Sequence, residues 1–258
     1  MNAAPQPLQT GISLSIVVFR TPLEQLKRAV ESAFLALQNA GQEADSNITV
    51  VNNDDGSEFA KEQLLALVER LEGSGCELNF IEGHGNIGYG AAHNLAFEQG
   101  HRPLHVFMNA DVELDSQVFV HGSVFFKENA DVVMISPKAL DFHGKRQFLC
   151  KRYPTVFDLL LRGFGPDFLK EYFSQRLAHY EMRELNAEEG ATKEVRIISG
   201  CFMFCRSENI RELGGFDPSF FLYFEDFDLS LRVGQDAKLA YVPSMKIRHD
   251  GGHSARKG

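Results

Sequence analysis

The chain has 258 residues, of which 44% are apolar and 24% are charged. This composition is typical of a globular protein and excludes a disordered or fibrous one. The 35 acidic residues outnumber the 26 basic ones, which gives a net charge of −9 without any block of Lys and Arg. Nucleic acid is therefore disfavoured as the main partner, because phosphate neutralisation needs clustered cations.

The compartment can be predicted from what the sequence lacks. Its four cysteines are too few for a disulfide framework, which indicates a reducing cytoplasm. Residues 1–11 have neither the basic nor the apolar segment of a secretory signal, and no apolar run approaches the roughly 20 residues of a spanning helix. We expect a cytoplasmic protein that is soluble or at most docks on a membrane.

Strands and helices alternate in the first half of the chain. A β-branched apolar run predicts a strand over residues 14–19. Thr21 and Pro22 then predict a helix start, as N-cap and first helical residue, and Gly41 predicts its end. This alternation predicts a parallel sheet with helices on both faces, whose ligands bind beyond the carboxyl ends of the strands. The further predicted strands are 48–51, 78–81, 105–108 and 132–136, and the further helices lie around 64–71, 89–99 and 116–128.

The alternation stops after Pro137. Residues 141–195 mix Gly, Pro, aromatic and charged residues with helical stretches, which predicts a helical insertion over the sheet. Its mixed charge favours a solvated amphipathic helix over a membrane anchor, because anchors have a basic polar face. The predicted helical stretches are 156–161 and 168–185. A strand over 197–205, a helix over 227–233 and strands over 239–242 and 246–247 complete the chain.

Two polar loops follow strands of the predicted sheet. Asn52-Asn53-Asp54-Asp55-Gly56-Ser57 can bind a base or ribose hydroxyls, or can be a polar turn that caps the next helix. Gly83-His84-Gly85-Asn86-Ile87-Gly88 lets backbone amides approach a phosphate or a sugar. A dinucleotide-binding fingerprint would follow the first strand rather than the third, so an NAD-dependent oxidoreductase is disfavoured.

Acidic residues and histidines supply the candidate chemistry. Asp111 comes directly after a strand, where it can hold Mg²⁺ or Mn²⁺ or can be an acidic turn at a helix start. Glu225 and Asp226 lie among aromatic residues that raise a carboxylate pKa, which suits a general base; alternatively they are helix-start acids. Adjacent side chains of extended chain point opposite ways, so we expect only one of the two to face the site. His249 forms part of a zinc-like Cys/His pattern, but the intervening gap is too long for a zinc finger.

Taken in chain order, these motifs resemble glycosyltransferase family 2, in particular its bacterial rhamnosyltransferase branch. The nucleotide-binding half of the family is matched by residues 52–57, 86–94 and 107–111. Its acceptor half is matched by residues 198–203, 214–217, 221–229 with Arg232, 242–243 and 247–252. The resemblance extends from about residue 13 to residue 254.

This resemblance implies a GT-A type α/β fold, in which helices flank a mainly parallel nucleotide-sugar-binding sheet and a helical insertion is added. It implies one domain, with residues 12–137 as the nucleotide-sugar-binding half and 138–258 as the acceptor-binding and catalytic half. The residues implied to contact the donor are Phe19, Asn52, Asp54, Asp55, Asn86, Gly88, Gly90, Asn94, Asn109 and Asp111.

The resemblance also implies a reaction. Asp111 and His249 would hold Mg²⁺ or Mn²⁺, and Asp226, with Glu225 beside it, would be the catalytic base of an inverting transfer. Asn109 stands where the family usually has the first carboxylate of Asp-x-Asp, which predicts a weaker metal site and leaves a non-catalytic nucleotide-sugar-binding protein as the alternative.

The expected donor is a dTDP- or UDP-sugar, with dTDP-L-rhamnose implied by the rhamnosyltransferase branch. The expected acceptor is a saccharide or a lipid-linked saccharide used in cell-surface polysaccharide synthesis. A lipid-linked acceptor would place the protein at the inner face of the cell membrane, in peripheral contact with it.

Overall fold

Four parallel strands form the first half of the central sheet. A computed structural model describes residues 11–54, 62–63, 66, 75–186 and 191–249. Of the strands predicted here, β1, β2 and β4 are buried and β3 is more exposed; β1 pairs with both β2 and β4, while β2 pairs with β3. The four strands are β1 (Ile12–Val18), β2 (Asn47–Asn52), β3 (Glu77–Ile81) and β4 (Leu104–Asn109).

Most of the later strands of the described residues extend the same sheet. These later strands are β5 (Val112–Leu114), β6 (Val132–Leu140), β7 (Arg146–Gln147), β8 (Cys150–Lys151), β9 (Lys193–Val195), β10 (Ile197–Ile198), β11 (Phe202–Arg206) and β12 (Lys238–His249). The sheet order is β3-β2-β1-β4-β11-β6-β12-β5, with β11 antiparallel to both β4 and β6. Strands β8 and β10 pair separately. The predicted mainly parallel sheet is thus confirmed, while the division at residue 137 stays a prediction.

Helices cover both faces of this sheet. Successive residues of β11 alternate between two cores: Phe204 packs in the core that contains α1 residues, and Met203 packs in the core that contains α8 residues. The helices are α1 (Leu23–Asn39), α2 (Tyr89–Gln99), α3 (Val118–Glu128), α4 (Val156–Phe164), α5 (Asp167–Tyr172), α6 (Ser174–Tyr180), α7 (Ser207–Glu212) and α8 (Glu225–Asp236).

The start of α1 differs from its prediction. Pro22, with φ −58° and ψ 132°, occupies the N-cap position, and the helix begins at Leu23. The Thr21 hydroxyl accepts a hydrogen bond from the Phe19 N–H at 3.3 Å instead of capping the helix. The prediction of Thr21 as N-cap and Pro22 as first helical residue was therefore wrong by one position, because the loop before the helix uses the threonine.

Three other predicted elements have different limits. The predicted strand over 197–205 is two strands, β10 and β11, separated at Gly200, whose N–H binds Asp226 at 2.9 Å. The predicted helix over 168–185 is divided into α5, α6 and a 3₁₀ turn at Arg183–Asn186. Residues 239–242 and 246–247 belong to one strand, β12, with a shift in register between Val242 and Lys246. The predicted helix around 64–71 lies largely outside the described residues.

A buried polar network joins β1, α2 and β4 beneath the sheet edge. The Ser15 hydroxyl lies 2.7 Å from His93 Nδ1 and 2.9 Å from His105 Nε2. Burial lowers the pKa of His93 to about 3 and also lowers that of His105, so both rings stay neutral. These contacts hold the start of α2 against the two strands whose ends carry the candidate site.

Candidate active site

The carboxyl ends of β1, β2 and β4 meet at one edge of the sheet. Val18 pairs with Asn52 and Val17 pairs with Asn109, so the residues that follow these strands emerge side by side. Asp54 and Asp111 follow the same two strand ends as Asn52 and Asn109. The structure thus brings together the predicted donor residues of two separate motifs, whereas Asp55 lies outside the described residues.

Asn53, which was not predicted to be a site residue, fixes the loop before α2 at the sheet edge where β1, β2 and β4 end. Its side-chain amide donates to Asn86 Oδ1 at 2.9 Å, and its Oδ1 accepts from the Ile87 N–H at 3.1 Å. Asn86 Oδ1 also accepts from the Gly88 N–H at 3.2 Å. The loop before α2 is therefore fastened to the end of β2. Asn52 Oδ1 accepts from the Asp54 N–H at 3.2 Å, so direct donor contacts by Asn52 and Asn86 stay predictions.

Gly88, Gly90 and Asn94 connect α2 to the second half of the chain. Gly88 has φ +92°, and a Cβ there would lie 2.5 Å from the Phe221 carbonyl oxygen. A Cβ at Gly90 would lie 2.8 Å from the Cβ of Phe216. The Asn94 side chain donates to the Phe216 carbonyl at 2.7 Å and accepts from the Phe216 N–H at 2.9 Å. All three residues hold the halves together here, and their predicted donor contacts are not tested.

Phe19 lies at the end of β1 with 42% of its surface exposed. The guanidinium of Arg20, a residue in the left-handed region at φ 51°, lies 5.1 Å from the Phe19 ring centre. A partly exposed aromatic ring at this sheet edge offers apolar surface against which a planar base can pack. The predicted donor contact of Phe19 agrees with this placement and stays a prediction.

Asp111 and His249 approach each other although 138 positions separate them in the sequence. Asp111 Oδ1 lies 3.5 Å from His249 Nε2. The Gln147 side chain donates to the His249 carbonyl at 2.8 Å, so its Oε1 faces His249 Nδ1 at 2.6 Å. Since an amide oxygen only accepts, Nδ1 carries a proton, and in the neutral ring Nε2 is then the nitrogen whose lone pair is directed toward the carboxylate. Two acceptors that face each other in this way fit a divalent cation between them, with Gln147 as the outer partner that orients the imidazole.

The protein supplies only part of a coordination shell. Within the described residues, no three His, Cys, Asp or Glu side chains are grouped so as to hold a metal ion. Mg²⁺ and Mn²⁺ commonly take one or two protein ligands and complete their shell with substrate phosphate oxygens and water. The Asp111–His249 pair fits that kind of open site.

Tyr89 joins the Asn109 strand end to the Gly200 turn. Its hydroxyl donates to the Gly200 carbonyl at 2.7 Å and lies 2.8 Å from Asn109 Oδ1. The pKa of this hydroxyl is raised well above its usual value, first by burial and then by the negative charges of nearby groups that include Asp226 and Asp111. Tyr89 therefore connects the strand end that precedes Asp111 to the turn that binds Asp226. The motifs contained Tyr89 and Gly200, but no local pattern indicated their pairing.

Asp226 lies in the first turn of α8, held by backbone donors. Its Oδ2 accepts from the Gly200 N–H at 2.9 Å and its Oδ1 accepts from the Phe227 N–H at 2.9 Å. Burial raises the pKa of this carboxyl, whereas these N–H groups and the positive charge of Lys151 act to lower it. A carboxylate that is buried yet kept basic suits a proton acceptor.

The Glu225 side chain packs toward α2 rather than toward the Gly200 turn. It is 5% exposed, its Oε2 has no hydrogen-bond partner among the residues that the structure describes, and burial raises its pKa to about 7. Its Cβ would lie 3.4 Å from a Cβ at Gly90, so it packs beside α2. The two adjacent acids diverge, but the predicted reason was wrong: both lie in the first turn of α8 rather than in extended chain, and there the helix dipole favours negative charge. That only one of them faces the site stays a prediction.

The comparison with curated proteins finds a short match. No protein-family model matches the chain. Over 67 residues, the chain is 37% identical to N-acetylglucosaminyl-diphospho-decaprenol L-rhamnosyltransferase of Mycobacterium tuberculosis strain H37Rv. The same match is found in strain CDC 1551 / Oshkosh. The matched stretch is 26% of this chain and 22% of the relative's length.

The comparison with solved structures extends over nearly the whole chain. GalNAc-T7 with UDP, GalNAc and Mn²⁺ has a TM-score of 0.64 at 15% identity, covering 94% of this chain and 43% of that one. The mannosyltransferase PcManGT of Pyrobaculum calidifontis with GDP-Man and Mn²⁺ has a TM-score of 0.62 at 12% identity, covering 97% and 59%. Identities this low establish the fold alone. The chain has the GT-A type fold of glycosyltransferases, as the resemblance in its sequence predicted.

Proposed function

We propose that the chain is a metal-dependent inverting glycosyltransferase that transfers L-rhamnose from dTDP-L-rhamnose to a glycan or lipid-linked saccharide in cell-surface polysaccharide synthesis. The observation that carries the proposal is the position of Tyr89. Its hydroxyl lies 2.8 Å from the Oδ1 of Asn109, two residues before Asp111, and bonds the carbonyl of Gly200, whose N–H holds Asp226. A metal-binding pair and a buried base around one residue suit the transfer of a sugar from a diphosphate to a hydroxyl group.

The rhamnosyl part of the proposal rests on the M. tuberculosis relative, whose name specifies an L-rhamnosyl transfer to a diphospho-decaprenol-linked sugar. The structural neighbours hold UDP or GDP-Man together with Mn²⁺. These ligands support a nucleotide-sugar donor and a divalent ion for the present chain.

In the proposed reaction, the acceptor hydroxyl attacks the anomeric carbon while the bond from that carbon to the diphosphate oxygen breaks on the opposite face. Asp226 accepts the hydroxyl proton, and the Gly200 N–H keeps the carboxylate in place for that transfer. Asp111 and His249 would hold the divalent ion, which supplies positive charge to the departing diphosphate. Because attack is from the opposite face, the configuration at the anomeric carbon inverts.

Replacement of the base tests this proposal. In Asp226→Asn the amide cannot accept the proton, so we expect transfer to fall by several orders of magnitude while donor binding measured by calorimetry is retained. Asp228→Asn is a matched control, because Asp228 lies in the same helix turn but pairs with Arg232 at 2.6 Å. Near-normal turnover in Asp226→Asn would exclude Asp226 as the base.

A second candidate, a non-catalytic nucleotide-sugar-binding protein, is favoured by one observation. Asn109 replaces the first carboxylate of the usual metal motif, and its amide oxygen lies against the Tyr89 hydroxyl rather than free for a cation. Release of dTDP or UDP from the donor that depends on added acceptor would exclude this candidate.

A further inference from the structure

Helix α4 turns its apolar side toward solvent. Val156, Phe157, Leu160 and Phe164 lie on one face of the helix and are all exposed, with Phe164 at 87%. The other side of the helix carries Leu161 and Asp158, which are both buried, and Asp158 accepts a hydrogen bond from Arg176 Nε at 2.6 Å. A surface helix of a globular protein usually buries its apolar stripe, whereas α4 exposes most of its apolar side chains.

The exposed apolar surface continues onto α5. Phe168 and Tyr172 are four residues apart on one side of that helix, and Phe168 is 68% exposed. The Phe173 ring joins the two helices, with its centre 5.1 Å from that of Phe157 and 4.9 Å from that of Tyr172. We name this surface the aromatic face; it consists of Val156, Phe157, Leu160, Phe164, Phe168 and Tyr172.

The insertion that carries the aromatic face is joined to the turn that holds the proposed base. The Arg152 N–H donates to the Tyr180 carbonyl at 2.9 Å, and β8 pairs with β10, which ends two residues before Gly200. The Gly200 N–H in turn binds Asp226 at 2.9 Å. The insertion and the proposed base therefore belong to one connected part of the structure.

We propose that the aromatic face docks on the surface of a phospholipid bilayer and so holds the site over a membrane-borne acceptor. The inference rests on the proposed function in that the acceptor is taken to be lipid-linked. Aromatic side chains are suited to the boundary between head groups and acyl chains, and an amphipathic helix binds there through the apolar area that it buries. No helix in the described part of the chain is long and apolar enough to cross a membrane, so a surface contact is the form of attachment proposed.

Charge and size favour a bilayer over a second copy of the chain. Residues 156–180 contain three acids and three Lys or Arg residues, so this region is neutral in a chain of net charge −9 and can approach a membrane without repulsion. In the sequence alone this mixed charge favoured a solvated helix; the exposed apolar side of α4 is the observation that favours docking instead. A stable protein dimer needs roughly 20–30 residues on each side, far more than the aromatic face presents. A bilayer accepts protruding side chains without a complementary rigid surface. Because docking is apolar, we expect it to depend little on salt.

A single tryptophan can report the contact, because the chain contains none. In Phe164→Trp, we expect the fluorescence emission to shift to shorter wavelength when phosphatidylcholine vesicles are added, at low and at high salt. Val124→Trp is the matched control, since Val124 is 47% exposed on α3, outside the aromatic face. No shift in Phe164→Trp, or an equal shift in both variants, would overturn the proposal.

Vesicle flotation supplies the second measurement. We expect the unmodified chain to float with phosphatidylcholine vesicles, and Phe164→Ser/Phe168→Ser to bind at least about tenfold more weakly while its melting temperature is unchanged. Failure of the unmodified chain to float, or unchanged flotation of the variant, contradicts docking. Self-association that is lost in the variant, without vesicle binding, would assign the face to a second copy. Because no substrate is present, these results are independent of whether the chain transfers a sugar.

Discussion

Lys151 is a buried ammonium group beside the proposed base. It is 6% exposed, and its Nζ donates to the Phe148 carbonyl, with no carboxylate of the described residues within 4 Å. Burial and the charge of Arg162 lower its pKa, to about 8. Burial of a cation costs free energy unless other interactions compensate for the lost hydration. The positive charge of Lys151 lowers the pKa of Asp226. Below pH 8 it therefore helps to keep Asp226 ionised.

This relation predicts a pH effect. Removal of the charge in Lys151→Met raises the pKa of Asp226, and a base must be ionised to accept a proton. The acidic limb of kcat/KM against pH should therefore move to higher pH, with a greater loss of rate at pH 6 than at pH 8. Lys151→Arg keeps a charge and should restore the limb. A uniform loss of rate at all pH values would indicate a structural role instead.

At the scale of elements, α2 is held to the second half of the chain by close backbone approach. The Tyr89 N–H donates to the Phe221 carbonyl at 3.0 Å, beside the position that a Cβ at Gly88 would occupy. The residues that follow, Tyr223 and Phe224, both lie in the left-handed region, at φ 70° and 69°. The 221–224 segment is thus shaped by contact with α2 before it enters α8 at Glu225.

Gly88→Ala tests this contact. The Cβ would be strained by φ +92° and would overlap the Phe221 carbonyl oxygen, so we expect the free energy of unfolding to fall by about 2–5 kcal/mol. Gly83→Ala is the matched control, because Gly83 has φ +86° but no atom within 4 Å of a Cβ, and should lose about 1–2 kcal/mol. Equal losses in denaturant unfolding would show that the Phe221 contact has room for a methyl group.

At the scale of the whole molecule, one sheet joins the motifs of both halves. β11 lies between β4 and β6, which sets Gly200 and Cys201 against the end of β4: the Asn109 N–H donates to the Cys201 carbonyl at 2.9 Å. β12 brings His249 back to Asp111, because His249 pairs with Val112 of β5. The proposed metal pair and the proposed base are therefore consequences of strand order.

Ligand-dependent melting tests the function of the assembled molecule. A nucleotide diphosphate present at about 100 times its Kd stabilises the native state by about 2.7 kcal/mol, which raises Tm by roughly 5–10 °C. We expect dTDP or UDP with Mn²⁺ to give such a shift, and NAD to give none. Asp111→Ala should lose most of the shift in Mn²⁺ but little of the smaller shift in EDTA. An equal loss in both conditions would argue against Asp111 as a metal ligand.

The sequence by itself determined the elements and the residue types at their ends. Strands β1 to β4 and β6, and the helices α1, α2 and α3, were predicted from local apolar patterns, whereas β5 was not. The polar residues after β2 and β4 are likewise local signals, and in a parallel sheet their convergence follows from strand direction. The predicted site residues Asn52, Asn109 and Asp111 therefore lie together at one sheet edge as expected.

Only the tertiary structure decided which distant residues meet. The proton on His249 Nδ1 depends on Gln147, 102 positions earlier, and the carboxylate of Asp226 is held by Gly200, 26 positions earlier. The outward apolar side of α4 was also beyond prediction, since periodicity shows that a helix has an apolar stripe but not whether the fold covers it. Such pairings are set by how the strands and helices pack together. For residues this far apart in the sequence, the number of intervening positions does not predict whether their side chains are in contact.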